Sequence, residues 1–224
     1  MLRLTIEMET AFLKQILACP EEDAPRLVYA DWLEEKSQGK RAEFIRLQCE
    51  MAQIEREGPR WRDHSSMQAN ALVAGPRWRQ LDARNQELLR QHKTEWSGQL
   101  PAIVTSCRLK RGFVETIGIT PESFIKNHPA IFAEHPILEV WFKHFQRGAD
   151  SLATCSGLSL IRGLRLEGVH ASDTHLMALL RSNHLSQLTA LDLAGLRLTP
   201  ENLQAMFSRG HLKALSHLNM ADNR

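Results

Sequence analysis

From residue 158 onward the apolar positions of this chain recur at a fixed offset. Leu158, Ile161, Leu164 and Leu166 are followed 27 positions later by Leu185, Leu188, Leu191 and Leu193, and 27 later again by Leu212, Leu215, Leu218 and Met220. The L-x-x-L-x-L spacing ends in alternation, which predicts a short strand with one buried face. Leu176, Leu179 and Leu180 map at the same offset onto Leu203, Met206 and Phe207. Their spacing of three and four residues predicts a helix with one apolar side. Neither element can bury its face alone, so successive units must stack. A degenerate first unit covers about residues 121–150: Ile137, Val140 and Phe142 keep the internal spacing 24 positions ahead, behind Phe124, Ile125, Ile131 and Phe132.

Upstream the pattern is helical. Phe12, Leu13, Ile16 and Leu17 share one side of a helix that Pro20 and Glu21-Glu22-Asp23 bring to an end. Asp23 then suits an N-cap, Ala24-Pro25 the first helical turn, and Val28, Tyr29, Trp32 and Leu33 an apolar stripe. After a break at Gly39, Phe44, Leu47, Met51 and Ile54 line a third helix.

These residues carry two resemblances. The repeats resemble leucine-rich repeats of the ribonuclease-inhibitor-like class, which have helices on the convex side. They depart from it where Asn is usual, since Val169 and Leu196 stand there and only the last unit has its Asn223. The segment CPEEDAPRLVYADWLEEKSQGKRAEFIRLQ, followed later by RGFV at Arg111 to Val114, closely resembles the repeat-companion domain of planctomycete-type bacteria. That resemblance implies a helical leader coupled to repeats, with no established enzymatic activity. The expected fold is therefore α/β: a leucine-rich-repeat solenoid of parallel strands and convex helices at residues 101–224, with an α-helical leader or cap at residues 1–100. Because the chain stops at Asn223-Arg224 just after a strand, the expectation is either a longer array or a surface that covers the last repeat.

Alternation also nominates a site. With the leucines inward, the central exposed positions of successive strands are Trp141, Arg165, Asp192 and Asn219, flanked by Glu139, Lys143, Glu167 and His217. Trp beside Arg and Asp has the composition of a protein-binding hot spot. The alternative is a solvated sheet with Trp141 covered by the leader. A second candidate is the motif GPRWR, at Gly58 to Arg62 and again at Gly75 to Arg79. Arg60, Arg62, Arg77 and Arg79 could grip phosphate while Trp61 and Trp78 stack on bases. Equally, each Gly-Pro could simply open a helix with Trp packed inward and Arg solvated, the reading favoured here. In Tyr29-Ala30-Asp31-Trp32, Asp31 reads as a structural ion-pair partner of Arg26 or of an arginine on the next helix.

Composition narrows the function. The net charge of +2 gives no general attraction to nucleic acid or membrane. The four cysteines lie far apart and the ten histidines are scattered, so neither a metal site nor a disulfide framework is indicated. No nucleophile elbow, P-loop or dinucleotide fingerprint occurs. No secretory or membrane-spanning segment opens the chain, so a cytoplasmic address is the default. The expectation is a non-catalytic scaffolding module with no cofactor or small-molecule substrate, binding a protein partner. The alternative is a regulatory or accessory subunit of a larger complex, nucleic-acid-associated or defensive.

Overall fold

The computed structural model describes residues 2–57, 75–98, 100–145, 149–167, 173–200 and 212–223, with 204, 206 and 210. The chain is mixed α/β and divides into two compact units. The first comprises Met1–Gln99 and Leu109–Val114, the second Leu100–Arg108 and Glu115–Arg224.

The first unit is helical: α1 Leu2–Ala18, α2 Ala24–Glu35, α3 Gly39–Glu57 and α4 Gly75–Trp96. α2 ends in a turn where Ser37 takes a left-handed conformation, its amide bonding to Glu34 O and that of Gln38 to Leu33 O, which satisfies carbonyls the helix leaves open. One core gathers Ile16, Tyr29, Ala30, Trp32, Leu33, Ala42, Ile45 and Cys49, with Phe12, Leu13 and Phe113 packed against it. A second joins α3 to α4 through Leu47, Met51, Trp78 and Leu81, with Ile54 beside them. Two expectations need correction. Val28 is 53% exposed and leaves the apolar stripe to Tyr29, Trp32 and Leu33. Asp23 makes no capping bond, because its carboxylate is taken by Arg56 at 2.5 Å and Arg111 at 3.2 Å.

Three arginines fasten this unit, Arg26 and Arg111 buried and Arg41 half-buried. Arg26 donates to Glu22 O and Pro20 O, and Arg111 to Glu21 O and Pro20 O. Arg41 donates to Gly112 O at 2.6 Å and lies against the rings of Phe44, Trp96 and Phe113. Gln48 completes the clasp, accepting from Gly112 N and donating to Leu109 O and Asn85. Arg111 and Gly112 both have positive φ, 49° and 88°, as a two-residue hairpin turn requires. A side chain at Gly112 would collide with Ile45.

The hairpin consists of β1 Ser106–Lys110 and β2 Phe113–Ile119, and its tip counts with the first unit. Then follow α5 Pro121–Glu134, β3 Glu139–Lys143, α6 Ala149–Leu152, a 3-10 turn Ser156–Leu160, β4 Gly163–Glu167, α7 Asp173–Leu180, a 3-10 turn Asn183–Leu185, β5 Ala190–Asp192 and β6 His217–Asn219. The six strands form one sheet in chain order, parallel from β2 onward. α5 begins at Thr120, whose side chain accepts from Ser123 N, with Pro121 in the first turn.

In the second unit the backbone repeats itself. Leu138 O accepts from the amides of both Arg162 and Gly163, Arg162 O from Thr189 and Ala190, and Thr189 O from Ser216 and His217. Facing strands are thus offset by 24 residues between β3 and β4 and by 27 thereafter. Inward positions Ile137, Val140, Phe142, Leu158, Ile161, Leu164, Leu166, Leu185, Leu188, Leu191 and Leu193 are all buried. Each such side chain is worth roughly 1.5–3 kcal/mol when taken out of water. Burial weakens at the last strand, where Met220 is 37% exposed. Asn223 ties the last two turns together, accepting from Leu198 N and donating to Leu193 O and Met220 O.

Candidate functional site

The exposed sheet face of the second unit places the four column residues in one line. Gly118 faces Trp141, Trp141 faces Arg165, Arg165 faces Asp192, and Asp192 faces Asn219. Neighbouring strands lie about 4.8 Å apart, so aligned side chains must touch. The Arg165 guanidinium sits 4.2 Å from the Trp141 ring centre and its Nε lies 3.6 Å from Asp192 Oδ2. Asp192 Oδ1 accepts from Asn219 Nδ2 and from Ala194 N, both at 3.1 Å. The chain from indole to guanidinium to carboxylate to amide fixes each rotamer through the next. Asp192 is buried under it, while Trp141, Arg165 and Asn219 remain half-exposed.

The flanking residues pair as well. Lys143 Nζ lies 2.6 Å from Glu167 and 5.1 Å from the Trp141 ring centre, and Thr116 donates to Glu139 at 3.3 Å. Alternation along β3 to β6 had not pointed to Arg108. Its guanidinium, from β1, lies 5.9 Å from the same indole. The hint was available in the alternation of Ser106, Arg108 and Lys110 before the RGFV turn. Which strand β1 pairs with, however, is not a local property. Cation–aromatic contacts of this kind contribute about 0.5–1 kcal/mol each when solvated, so the cluster shapes the face more than it stabilises the fold.

The second candidate separates into parts. Arg60, Trp61 and Arg62 lie outside the described residues. In the other copy Gly75, at φ 79°, opens α4 with Pro76 in its first turn. Trp78 is buried against Leu47, Met51 and Leu81, so its indole offers no face to a base. Arg77 is held bidentate by Glu50 at 2.7 and 2.9 Å, which leaves Arg79 as the solvated member of that copy. A groove of about 460 Å³ runs beside it, and its arginines are spoken for: Arg46 by Asp31 and Glu34, Arg77 by Glu50, Arg84 by Glu43 and Glu87. Glu43 is held below the usual carboxylate range by Arg84. Asp31 therefore meets the arginine of the next helix and not Arg26.

Tyr29 donates to Glu9 at 2.8 Å, and burial, with that carboxylate, pushes its phenol pKa up. Burial likewise raises the Cys155 thiol, 3.7 Å from His128. Neither group is primed to ionise near neutrality. Among the described residues no group of three or more His, Cys, Asp or Glu side chains could hold a metal ion, and no helix is long and apolar enough to cross a membrane. No family model matches the chain, and no curated protein or solved structure is significantly similar to it.

Proposed function

We propose that this chain is a non-catalytic protein-binding module. In this proposal the second unit is a leucine-rich-repeat solenoid, the first is its repeat-companion leader, and the partner sits on the exposed sheet face. The observation that carries it is the interlocked column Trp141, Arg165, Asp192 and Asn219. Its side chains are already ordered by one another, so binding through them costs little rotamer entropy. Aromatic and arginine side chains ordered in this way are the residues on which partner affinity concentrates. A cytoplasmic address fits four free thiols, which persist in a reducing compartment. Service as an accessory subunit is the same proposal with an enzyme as the partner. A nucleic-acid role is the weaker one, since Trp78 is buried and Arg77 is paired.

The test begins with affinity capture from the native host and mass spectrometry, followed by calorimetry with the purified partner. Trp141→Ala and Arg165→Ala should each weaken the complex by more than about 1 kcal/mol, with Gln204→Ala near neutral. Unchanged affinity in both column variants, with the fold intact, would remove the sheet face as the binding surface.

A further inference from the structure

The cations around Trp141 are not equivalent. Lys143 is committed to Glu167 and Arg165 to Asp192, at 2.6 and 3.6 Å. Arg108, the third, is exposed and has no carboxylate partner among the described residues. On β2 the residue facing Trp141 is Gly118, which has no side chain. The place a side chain would take there is filled by the Ser106 hydroxyl, with the Thr105 hydroxyl and the Cε of Lys143 beside it. Thr105 spends its proton on Gly118 O at 3.0 Å. The exposed Ser106 hydroxyl has no partner among the described residues.

We infer that Arg108 and Ser106, beside Trp141, form a carboxylate subsite, taking one Asp or Glu side chain of an acidic segment of the protein partner; the inference rests on the sheet face being the docking surface. In water Arg108 is solvated at no cost. A partner closing over Trp141 would strip that water, and leaving the guanidinium uncompensated is expensive, so the partner must bring an anion. Only one cation is unspent, and one carboxylate neutralises it. A phosphate dianion would require a second cation, and both neighbours are already paired. The guanidinium fork matches the two oxygens of a carboxylate, and Ser106 supplies a further donor. The Trp141 indole offers an apolar wall for the methylenes of the acid or for an adjacent apolar residue, so the segment recognised is an acidic residue next to an apolar one.

The test is an NMR titration of the ¹⁵N-labelled full chain with the capped pentapeptide Leu-Glu-Ala-Glu-Leu, its Leu-Gln-Ala-Gln-Leu counterpart and inorganic phosphate. The Glu peptide should shift the Trp141 indole Nε1–H and Arg108 Nε–H signals saturably. Arg108→Gln should weaken it on the order of ten-fold while leaving the Gln peptide unchanged, as loss of one charge-assisted pair demands. Equal binding of the two peptides, or indifference to Arg108→Gln in a variant whose spectrum is otherwise native, overturns the subsite. Phosphate moving the same signals at lower concentration than the Glu peptide also overturns it, in favour of a phosphate site. If the subsite fails in these ways while Trp141→Ala still weakens the captured partner, the sheet-face proposal survives alone. If the peptide behaves as expected and the captured partner ignores both column substitutions, a carboxylate-binding site stands but its assignment to the partner falls with the sheet-face proposal.

Discussion

In the first unit the carbonyl of Pro20 accepts from two arginine side chains, six and 91 residues away along the chain. In the second unit the carbonyls of Leu138, Arg162 and Thr189 each accept the same pair of amides from the next strand. Both arrangements satisfy buried backbone. They differ in what they ask of the sequence. A backbone ladder needs only apolar side chains at the right interval, and tolerates exchange among Leu, Ile, Val and Phe. A clasp made by Arg26, Arg41, Arg111 and Gln48 needs those side chains and no others, since only a long fork of donors reaches several carbonyls at once. The dense, aperiodic motif of the first unit and the loose, periodic pattern of the second follow from that difference.

The comparison can be broken most severely by deletion. A fragment of residues 97–224 removes Arg41, Ile45 and Gln48, which hold the hairpin tip, and exposes Leu109, Phe113 and Val114. It should aggregate or lose cooperative unfolding in calorimetry. A soluble, cooperatively folding fragment would mean that the clasp is dispensable to the second unit. Next in size, Leu191→Ala should cost about 2 to 5 kcal/mol in urea unfolding through lost burial and a residual cavity, and a loss well under 1 kcal/mol would contradict the shared register.

Arg111→Met should cost about 3 kcal/mol, the lower end for breaking a buried pair, because Asp23 keeps Arg56. It should also alter the acid limb. Burial alone would raise the Asp23 carboxyl, but Arg56 and Arg111 more than offset this and hold it below its ordinary 3.8. Its stabilising contribution is therefore complete above that value and is lost as pH falls through the folded one. The difference between wild type and Arg111→Met should narrow below pH 3.8, as Asp23 protonates in both. The smallest effect belongs to the pairs joining α3 and α4. Arg77→Ala at the half-exposed Glu50 pair should leave the urea midpoint within error.

The parallel strands were legible because their sequence pattern is periodic: β3 was placed from Ile137, Val140 and Phe142 despite the 24-residue offset. The column was legible for the same reason, each member being the centre of its strand. The first unit was legible as helices but not as a clasp. Arg26 is fully buried and Asp23 serves a hairpin 88 residues away, and no local pattern distinguishes such residues from solvated ones. Val28 shows the converse error, an apolar residue at helical spacing that faces water. Arg108 was missed because the column was assembled strand by strand from β3 onward, whereas Arg108 enters across β2 from the hairpin.

The strand offsets have one more consequence. Between β3 and β4 the connecting segment is three residues shorter than between β4 and β5, yet Trp141, Arg165 and Asp192 stay in line. The three-residue difference in length leaves the register of the face undisturbed. The face can therefore be respelled one residue at a time by point mutation, while the back accepts insertions and deletions. Side-chain identity on the face and the length of the connections are free to vary separately.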